Sequence, residues 1–161
     1  MKTPHHNSSM LFNTAKNKTA AAWLALVFGQ LGVHRLYLFG RKDFWAWVHP
    51  ALAAVGWWGV HRVQLYGQDV KLAWVLIPLL GFTLAATSIA AIYYGLMPTE
   101  KWNAQHNPSL PATAAGNTHW LTIGAVVFAL LFGAITLMSS LAFSFQRYFE
   151  YQVEEARKIS Q

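Results

Sequence analysis

A nine-residue motif, Gly32-Val-His-Arg-Leu-Tyr-Leu-Phe-Gly40, returns 27 positions later as Gly59-Val-His-Arg-Val-Gln-Leu-Tyr-Gly67, with six of the nine positions identical. Each copy joins two glycines, a His-Arg pair and apolar or aromatic side chains, and each lies between apolar segments. Basic and aromatic side chains in this setting are typical of a helix end at a membrane–water interface, because they bridge the apolar and aqueous phases. The motif therefore divides the chain into segments of membrane-spanning character.

The composition indicates an integral membrane protein. Only 11% of the 161 residues are charged and 55% are hydrophobic, whereas soluble domains are about 25% charged. Residues 72–97 and 117–146 contain no charged side chain, and a helix crosses the hydrocarbon core with about 20 apolar residues. The net charge of +6 lies beside these apolar runs, which favours contact with the bilayer and its anionic lipids over nucleic-acid binding.

We predict an all-α integral membrane protein with four transmembrane helices, the last of which extends into an amphipathic C-terminal helix. The predicted spans run from Thr19 to Gly40, from Phe44 to Val60, from Ala73 to Met97 and from His119 to Phe145. The first two spans form a helical pair at residues 19–66, and the third lies within residues 67–97. The remaining predicted segments are a polar N-terminal tail (1–18), an extra-membrane loop (98–118), the fourth helix (119–145) and the amphipathic helix (146–161).

The distribution of Lys and Arg predicts the orientation. With four crossings, eight basic residues lie on the side of the two termini and four lie on the other side. Both termini are therefore expected on the cytoplasmic side of a bacterial inner membrane. The weak element is the first span, because the apolar run from Thr19 to Val33 covers only about 22 Å at about 1.5 Å per residue. If this segment dips into the membrane and returns, the count becomes seven against five.

With four crossings, the two copies of the motif lie on opposite faces of the bilayer. A tandem repeat separated by one crossing is inverted, and inverted repeats recur in transporters, with binding sites at the repeat interface. The simpler interpretation is that a good interfacial helix end is used twice, and both interpretations remain open at this stage.

The segment from Lys16 to Leu38, followed by a basic glycine turn and a second hydrophobic helix, resembles the TM-two domain family over about the first 65 residues. The residues that match its loop are Gly32, His34, Arg35, Tyr37, Leu38 and Gly40. Leu36 replaces the usual Phe, and Phe39 is an extra residue before the final glycine. The resemblance implies a membrane-embedded pair of helices joined by a short loop, with a role in binding a ligand or partner.

Few residues in the predicted spans could carry chemistry. No acidic residue lies inside a span, and His49 is the one ionisable candidate near mid-depth. Such a group either marks a transport route or is a hydrogen-bonded structural residue. His34, His49, His61 and His119 could serve as axial ligands of haem b only where two face each other at one depth, so we expect no cofactor or metal. With no cysteine and no acid–His pair beside a serine, we expect no enzymatic activity.

The sequence therefore predicts an accessory or scaffold protein that binds a larger membrane complex or an anionic lipid. The expected contact residues are the polar members of the two motif copies and the adjoining turn: His34, Arg35, Tyr37, Arg41, Lys42, His61 and Arg62. The alternative is a small transporter or channel built on the inverted repeat, with His49 at mid-membrane.

Overall fold

The computed structural model describes residues 15–67, 69–109 and 116–160, and every regular element among them is helical, as predicted. The helices are α1 (Lys18–Phe28), α2 (Val33–Phe39), α3 (Phe44–Tyr66), α4 (Ala73–Leu96), α5 (Thr99–His106) and α6 (Trp120–Ile159), with a 3₁₀ turn at Gly29–Leu31. Most of the predicted N-terminal tail, residues 110–115 of the predicted loop and residue 161 lie outside the described residues.

Two of the described helices, α4 and α6, are long and apolar enough to cross a membrane by length and composition. The 40 residues of α6 extend over about 60 Å at 1.5 Å per residue, twice the roughly 30 Å thickness of a hydrocarbon core. The predicted fourth span and the amphipathic C-terminal helix are thus one continuous helix. The helix α3 is longer than the predicted segment from Phe44 to Val60, because it continues through the second motif copy to Tyr66.

Small residues hold the long helices together, and α4 lies at the centre of the bundle. A Cβ atom added to Gly59 of α3 would lie 2.4 Å from Cβ of Leu76 in α4. On the other side of α4, a Cβ atom on Gly81 would lie 1.7 Å from Oγ of Ser140 in α6. Such close backbone approach is how membrane helices gain packing contacts without a hydrophobic drive between them.

The main correction to the sequence-based prediction concerns the first span. The segment from Thr19 to Gly40 is not one continuous helix, because α1 ends at Phe28 and a 3₁₀ turn leads to Gly32 in the left-handed conformation (φ +68°). A Cβ atom on Gly32 would lie 2.0 Å from the carbonyl oxygen of Ala46 in α3. Since the backbone conformation and the contact both require glycine, this position can turn the chain and let α2 begin in a new direction.

The second arm, α2, returns to the level at which α1 began. The backbone N–H of Asn17 donates to Oη of Tyr37 at 2.7 Å, and the Lys16 ammonium donates to the carbonyl oxygen of Leu38. At the end of α2, the ring of Phe39 lies 5.9 Å from the ring of His106 in α5. Residues 18–39 therefore form a helical hairpin, and both of its ends lie at the same end of the bundle.

We call the end that carries residues 16–18, residues 40–43, α5 and the start of α6 the hairpin end, and the opposite end, with residues 67–72, the far end. At the far end, the Tyr151 ring near the end of α6 lies 6.4 Å from the Trp74 ring at the start of α4. The N-terminal and C-terminal described residues thus lie at opposite ends of the bundle. The predicted arrangement, with both termini on one side, differs because the hairpin does not traverse the bundle.

Hydrogen bonds to neutral oxygens fasten the hairpin end. The ammonium of Lys18, which is buried, donates to the carbonyl oxygen of Met97 at 3.0 Å and to Oγ1 of Thr118 at 2.7 Å. Burial lowers the pKa of Lys18 below its ordinary value. The indole of Trp102 donates to the carbonyl oxygen of Lys16 at 2.8 Å, so α5, which lies within the predicted loop, closes the bundle over the start of α1.

A candidate binding surface at the basic turn

The turn between α2 and α3 presents two exposed cations at the hairpin end. Gly40 ends α2 at φ +81°, and its N–H donates to the carbonyl oxygen of Leu36 at 3.0 Å. Arg41 and Lys42 follow, and both are exposed. Neither forms an ion pair within the part of the chain that the structure describes, so their charge faces outward.

Arg35 fixes this turn through an ion pair and is only partly exposed. Its Nε lies 2.5 Å from Oδ2 of Asp43 and its Nη2 lies 3.3 Å from Oδ1, while the guanidinium stacks 5.0 Å from the centre of the Phe39 ring. The hydrogen bond from Arg35 lowers the pKa of Asp43. The ion pair ties the end of α2 to the start of α3, and the predicted contact role of Arg35, whose side chain is 25% exposed, stays a prediction.

Exposed aromatic side chains flank the two cations. Trp45 and Trp47, in the first turn of α3, are exposed, and the indole of Trp47 donates to the carbonyl oxygen of Arg41 at 3.1 Å. We call Arg41, Lys42, Trp45 and Trp47 the basic turn. Indole rings beside cations are the usual composition of a membrane–water interface.

Of the two other predicted contact residues of the first motif copy, His34 is buried and Tyr37 is partly exposed. His34 is only 1% exposed, and its ring lies 5.3 Å from the ring of His49 and 6.0 Å from the ring of Tyr94. The hydroxyl of Tyr37 accepts a hydrogen bond from the backbone N–H of Asn17. His34 is therefore not accessible at the surface, whereas the predicted contact role of Tyr37 stays a prediction.

His49 is not the isolated residue that the sequence suggested. Its Nδ1 lies 2.7 Å from the carbonyl oxygen of Trp45, one turn earlier in α3, and its ring meets His34 edge to face. Because the two rings are in contact, there is no room between them for a porphyrin. Sequence reasoning missed this pair, since it placed the two histidines on successive spans, and only the turn at Gly32 brings α2 against α3.

The second motif copy lies apart from the first, toward the far end of α3. His61 is exposed, and the guanidinium of Arg62 stacks 5.3 Å from the rings of both Trp58 and Tyr66. The predicted contact residues are thus divided between the two ends of the bundle. They do not form one site.

The chain matches no protein-family model, and comparisons with curated proteins and with solved structures return no similar protein. Membership of the TM-two domain family therefore stays a prediction from the loop residues. Among the described residues, no group of three or more His, Asp or Glu side chains is arranged to hold a metal ion.

Proposed function

We propose that this chain is a small multi-pass membrane protein of accessory or scaffold type, without enzymatic activity, that binds an anionic group through the basic turn. The observation that carries the proposal is the pair of exposed cations Arg41 and Lys42, neither of which forms an ion pair with any residue that the structure describes, beside exposed indoles. The anionic group belongs to an acidic segment of a membrane partner or to an anionic lipid headgroup.

In the proposed topology, α3, α4 and α6 cross the membrane, and the hairpin dips in and returns. Among the described residues, the side of the hairpin end then carries six Lys and Arg residues against five on the far side, which orients the hairpin end toward the cytoplasmic face of a bacterial inner membrane. Support comes from the apolar character of α4 and α6 and from the exposed aromatic residues at the start of α3.

The rigidity of the basic turn favours specific binding over a loosely solvated charge. The Arg35–Asp43 pair and the hydrogen bond from Trp47 to the Arg41 carbonyl hold the backbone of the turn before any ligand arrives. A preorganised site loses less conformational entropy on binding than a flexible one. The attraction between the basic turn and an anionic group is strongest at the headgroup level, where anionic lipids attract cations.

The proposal is tested by purification in a gentle detergent, with mass spectrometry of the proteins and lipids that remain bound. The double variant Arg41→Ala/Lys42→Ala should lose most of the bound anionic species, whereas Lys101→Ala, which removes an exposed cation from α5 at the same end, should retain it. A lost protein identifies a partner, and a lost lipid identifies a headgroup. Equal retention by the double variant and the control would contradict the proposal.

The alternative, a small transporter or channel, draws support from one observation, the contact between the buried His34 and the partly exposed His49. A transporter should lose activity in reconstituted vesicles on His49→Ala at normal membrane levels, and it should be insensitive to the Arg41→Ala/Lys42→Ala change. An accessory protein should show the reverse pattern.

A further inference from the structure

A stripe of exposed residues runs along α6 from position 131 to position 159, and we call it the seam. Its residues recur at alternating spacings of four and three, and each of them is exposed: Leu131, Ile135, Met138, Ala142, Phe145, Phe149, Gln152, Ala156 and Ile159. All but Gln152 are apolar. An apolar stripe that repeats every 3.5 residues on average, over about four heptads, is the pattern of a coiled coil, in which the stripe stays in contact with a second helix.

The seam lies opposite the face through which α6 packs on α4. A Cβ atom on Gly133 would lie 2.8 Å from Cβ of Ser88, and Gly81 of α4 closely approaches Ser140. Gly133 and Ser140 each stand two positions from a seam residue on either side. Two positions correspond to about 200° around a helix of about 3.6 residues per turn, so the packing of α6 on α4 leaves the seam uncovered.

The seam continues beyond the part of α6 that can lie in the hydrocarbon core. Residues 147–160 contain six charged side chains, none of which stands in the seam: Arg147, Glu150, Glu154, Glu155, Arg157 and Lys158. In the same stretch Phe149 is 62% exposed and Ile159 is 86% exposed. Lipid chains cover an apolar stripe within the bilayer, but here the stripe faces water, and such a stripe marks a contact with another protein surface.

The seam is complementary to itself. Copies of one membrane protein share one orientation, so the α6 helices of two copies lie parallel at the same depth, and a two-fold axis brings each seam residue opposite its own counterpart. Because no seam residue is charged, no like charges meet. The amide of Gln152 both donates and accepts hydrogen bonds, so the two Gln152 side chains can bond to each other, and a single polar residue in such a contact fixes its register.

The seam also offers the area that a stable dimer needs. Phe145, Phe149 and Tyr148, which flanks the seam, are 57–62% exposed. An aromatic side chain buries about 150–250 Å², so these three rings alone can bury on the order of 300–400 Å² per copy. The other seam residues extend the contact along α6 toward the roughly 800 Å² per partner of a stable interface.

We propose that two copies of this chain pair in parallel along the seam, as a two-stranded coiled coil that begins in the bilayer and continues into water at the far end. A dimer carries two basic turns at the hairpin end and can therefore bind a repeated anionic surface bivalently. This inference rests on the membrane embedding in the proposed function, but not on the basic turn.

The test uses the absence of cysteine in the chain. Single-cysteine variants of the full chain are oxidised with copper phenanthroline in the membranes of the cells that make them, and the disulfide-linked products are identified by mass spectrometry. Gln152→Cys and Ala156→Cys place a thiol in the seam, whereas Glu154→Cys places one between them on the opposite, exposed face. Dimers should form several-fold more at positions 152 and 156 than at 154, because a disulfide needs Cα atoms about 4.4–6.8 Å apart.

A matched pair of second substitutions in the Gln152→Cys variant sharpens the test. Ala156→Glu brings a carboxylate into the seam opposite its own counterpart and should lower the yield of linked dimer several-fold. Arg157→Gln changes the net charge by the same amount outside the seam and should leave the yield unchanged. Both positions are exposed, so neither change disturbs the packing of the single chain.

The outcomes separate this inference from the proposed function. Equal yields at positions 152 and 154, no dimer at 152, or a link from 152 to a different protein would each overturn the pairing of two copies. An alkaline carbonate wash of the same membranes tests the embedding: removal of the chain would overturn the embedding itself, whereas retention without a dimer overturns the seam alone. The Arg41→Ala/Lys42→Ala variant should still form the dimer at position 152, because the basic turn lies at the other end of the bundle.

Discussion

The two copies of the repeated motif, residues 32–40 and 59–67, end in the same way. Gly40 and Gly67 both close a helix at φ of +81° and +83°, and the N–H of each donates to the carbonyl oxygen four residues earlier, at 3.0 and 2.9 Å. In both copies the arginine stacks on the aromatic ring four residues later, at 5.0 and 5.3 Å. The shared residues therefore produce a shared helix end.

The two copies begin differently. Gly32 adopts the left-handed conformation and starts a new helix, whereas Gly59 lies inside α3. Consequently His34 is buried against His49, while His61, at the same position of the motif, is exposed. Local sequence therefore sets how each of the two helices ends. Contacts with other helices decide whether the first glycine of the motif interrupts the helix.

The largest effect should separate the two first glycines. Gly32→Ala combines left-handed strain with a Cβ atom 2.0 Å from the Ala46 carbonyl oxygen, and it should cost on the order of 3 kcal/mol or more. Gly59→Ala meets a Cβ atom of Leu76 at 2.4 Å, but it gains about 1 kcal/mol of helix propensity. Thermal unfolding in detergent should show that Gly32→Ala is clearly the less stable variant. The reverse order would contradict the difference between the two first glycines.

The two histidines should differ next. His34→Ala leaves a cavity beside His49 and Tyr94 and should cost on the order of 2–4 kcal/mol. His61→Ala removes an exposed side chain and should stay within about 0.5 kcal/mol of the unmodified protein. The same unfolding measurement checks both variants, and equal losses would show that the motif copies have equivalent surroundings.

The two last glycines should instead behave alike. A Cβ atom on Gly40 or Gly67 meets no atom within 4 Å, so alanine costs only the backbone strain, about 1–3 kcal/mol at either position. Matching decreases in unfolding temperature for Gly40→Ala and Gly67→Ala would support the shared helix end. A difference larger than the strain itself would refute it.

The smallest effect concerns the acidic residue after each motif copy. Because Arg35 lowers the pKa of Asp43 in the folded protein, the ion pair contributes its full stabilisation above the unfolded pKa, near 4, and loses it as pH falls through the lowered folded value. Asp43→Asn should cost about 0.2–1 kcal/mol at neutral pH and should flatten the acid dependence of stability.

The matched control is Asp69→Asn, since Asp69 is exposed and forms no ion pair among the described residues. It should leave both the neutral stability and its acid dependence unchanged. An equal loss in the two variants would mean that the Arg35–Asp43 pair does not fix the turn.

The sequence was informative where one physical signal dominates. Uncharged apolar runs predicted α4 and the apolar part of α6, because length and hydropathy are properties of the segment itself.

The sequence was uninformative where a contact between distant residues decides the structure. The residues around position 32 do not distinguish a left-handed glycine there from the helical glycine at position 59. The sequence alone therefore predicts the first segment as one span. The burial of His34 follows from that turn and was missed with it. The basic turn was found from its charges, but the pairing of Arg35 with Asp43 was not, because ion-pair partners eight residues apart meet only when the backbone turns.

The most direct test of the hairpin uses the absence of cysteine in this chain, which allows single-cysteine variants to be labelled in membrane vesicles by an impermeant maleimide. The substitutions are Ala15→Cys, Lys42→Cys, Asp69→Cys and Ser160→Cys. The hairpin predicts that positions 15 and 42 react on one side of the membrane and positions 69 and 160 on the other. Reaction of position 42 on the side opposite to position 15, with position 160 on the same side as position 15, would contradict it and restore four crossings.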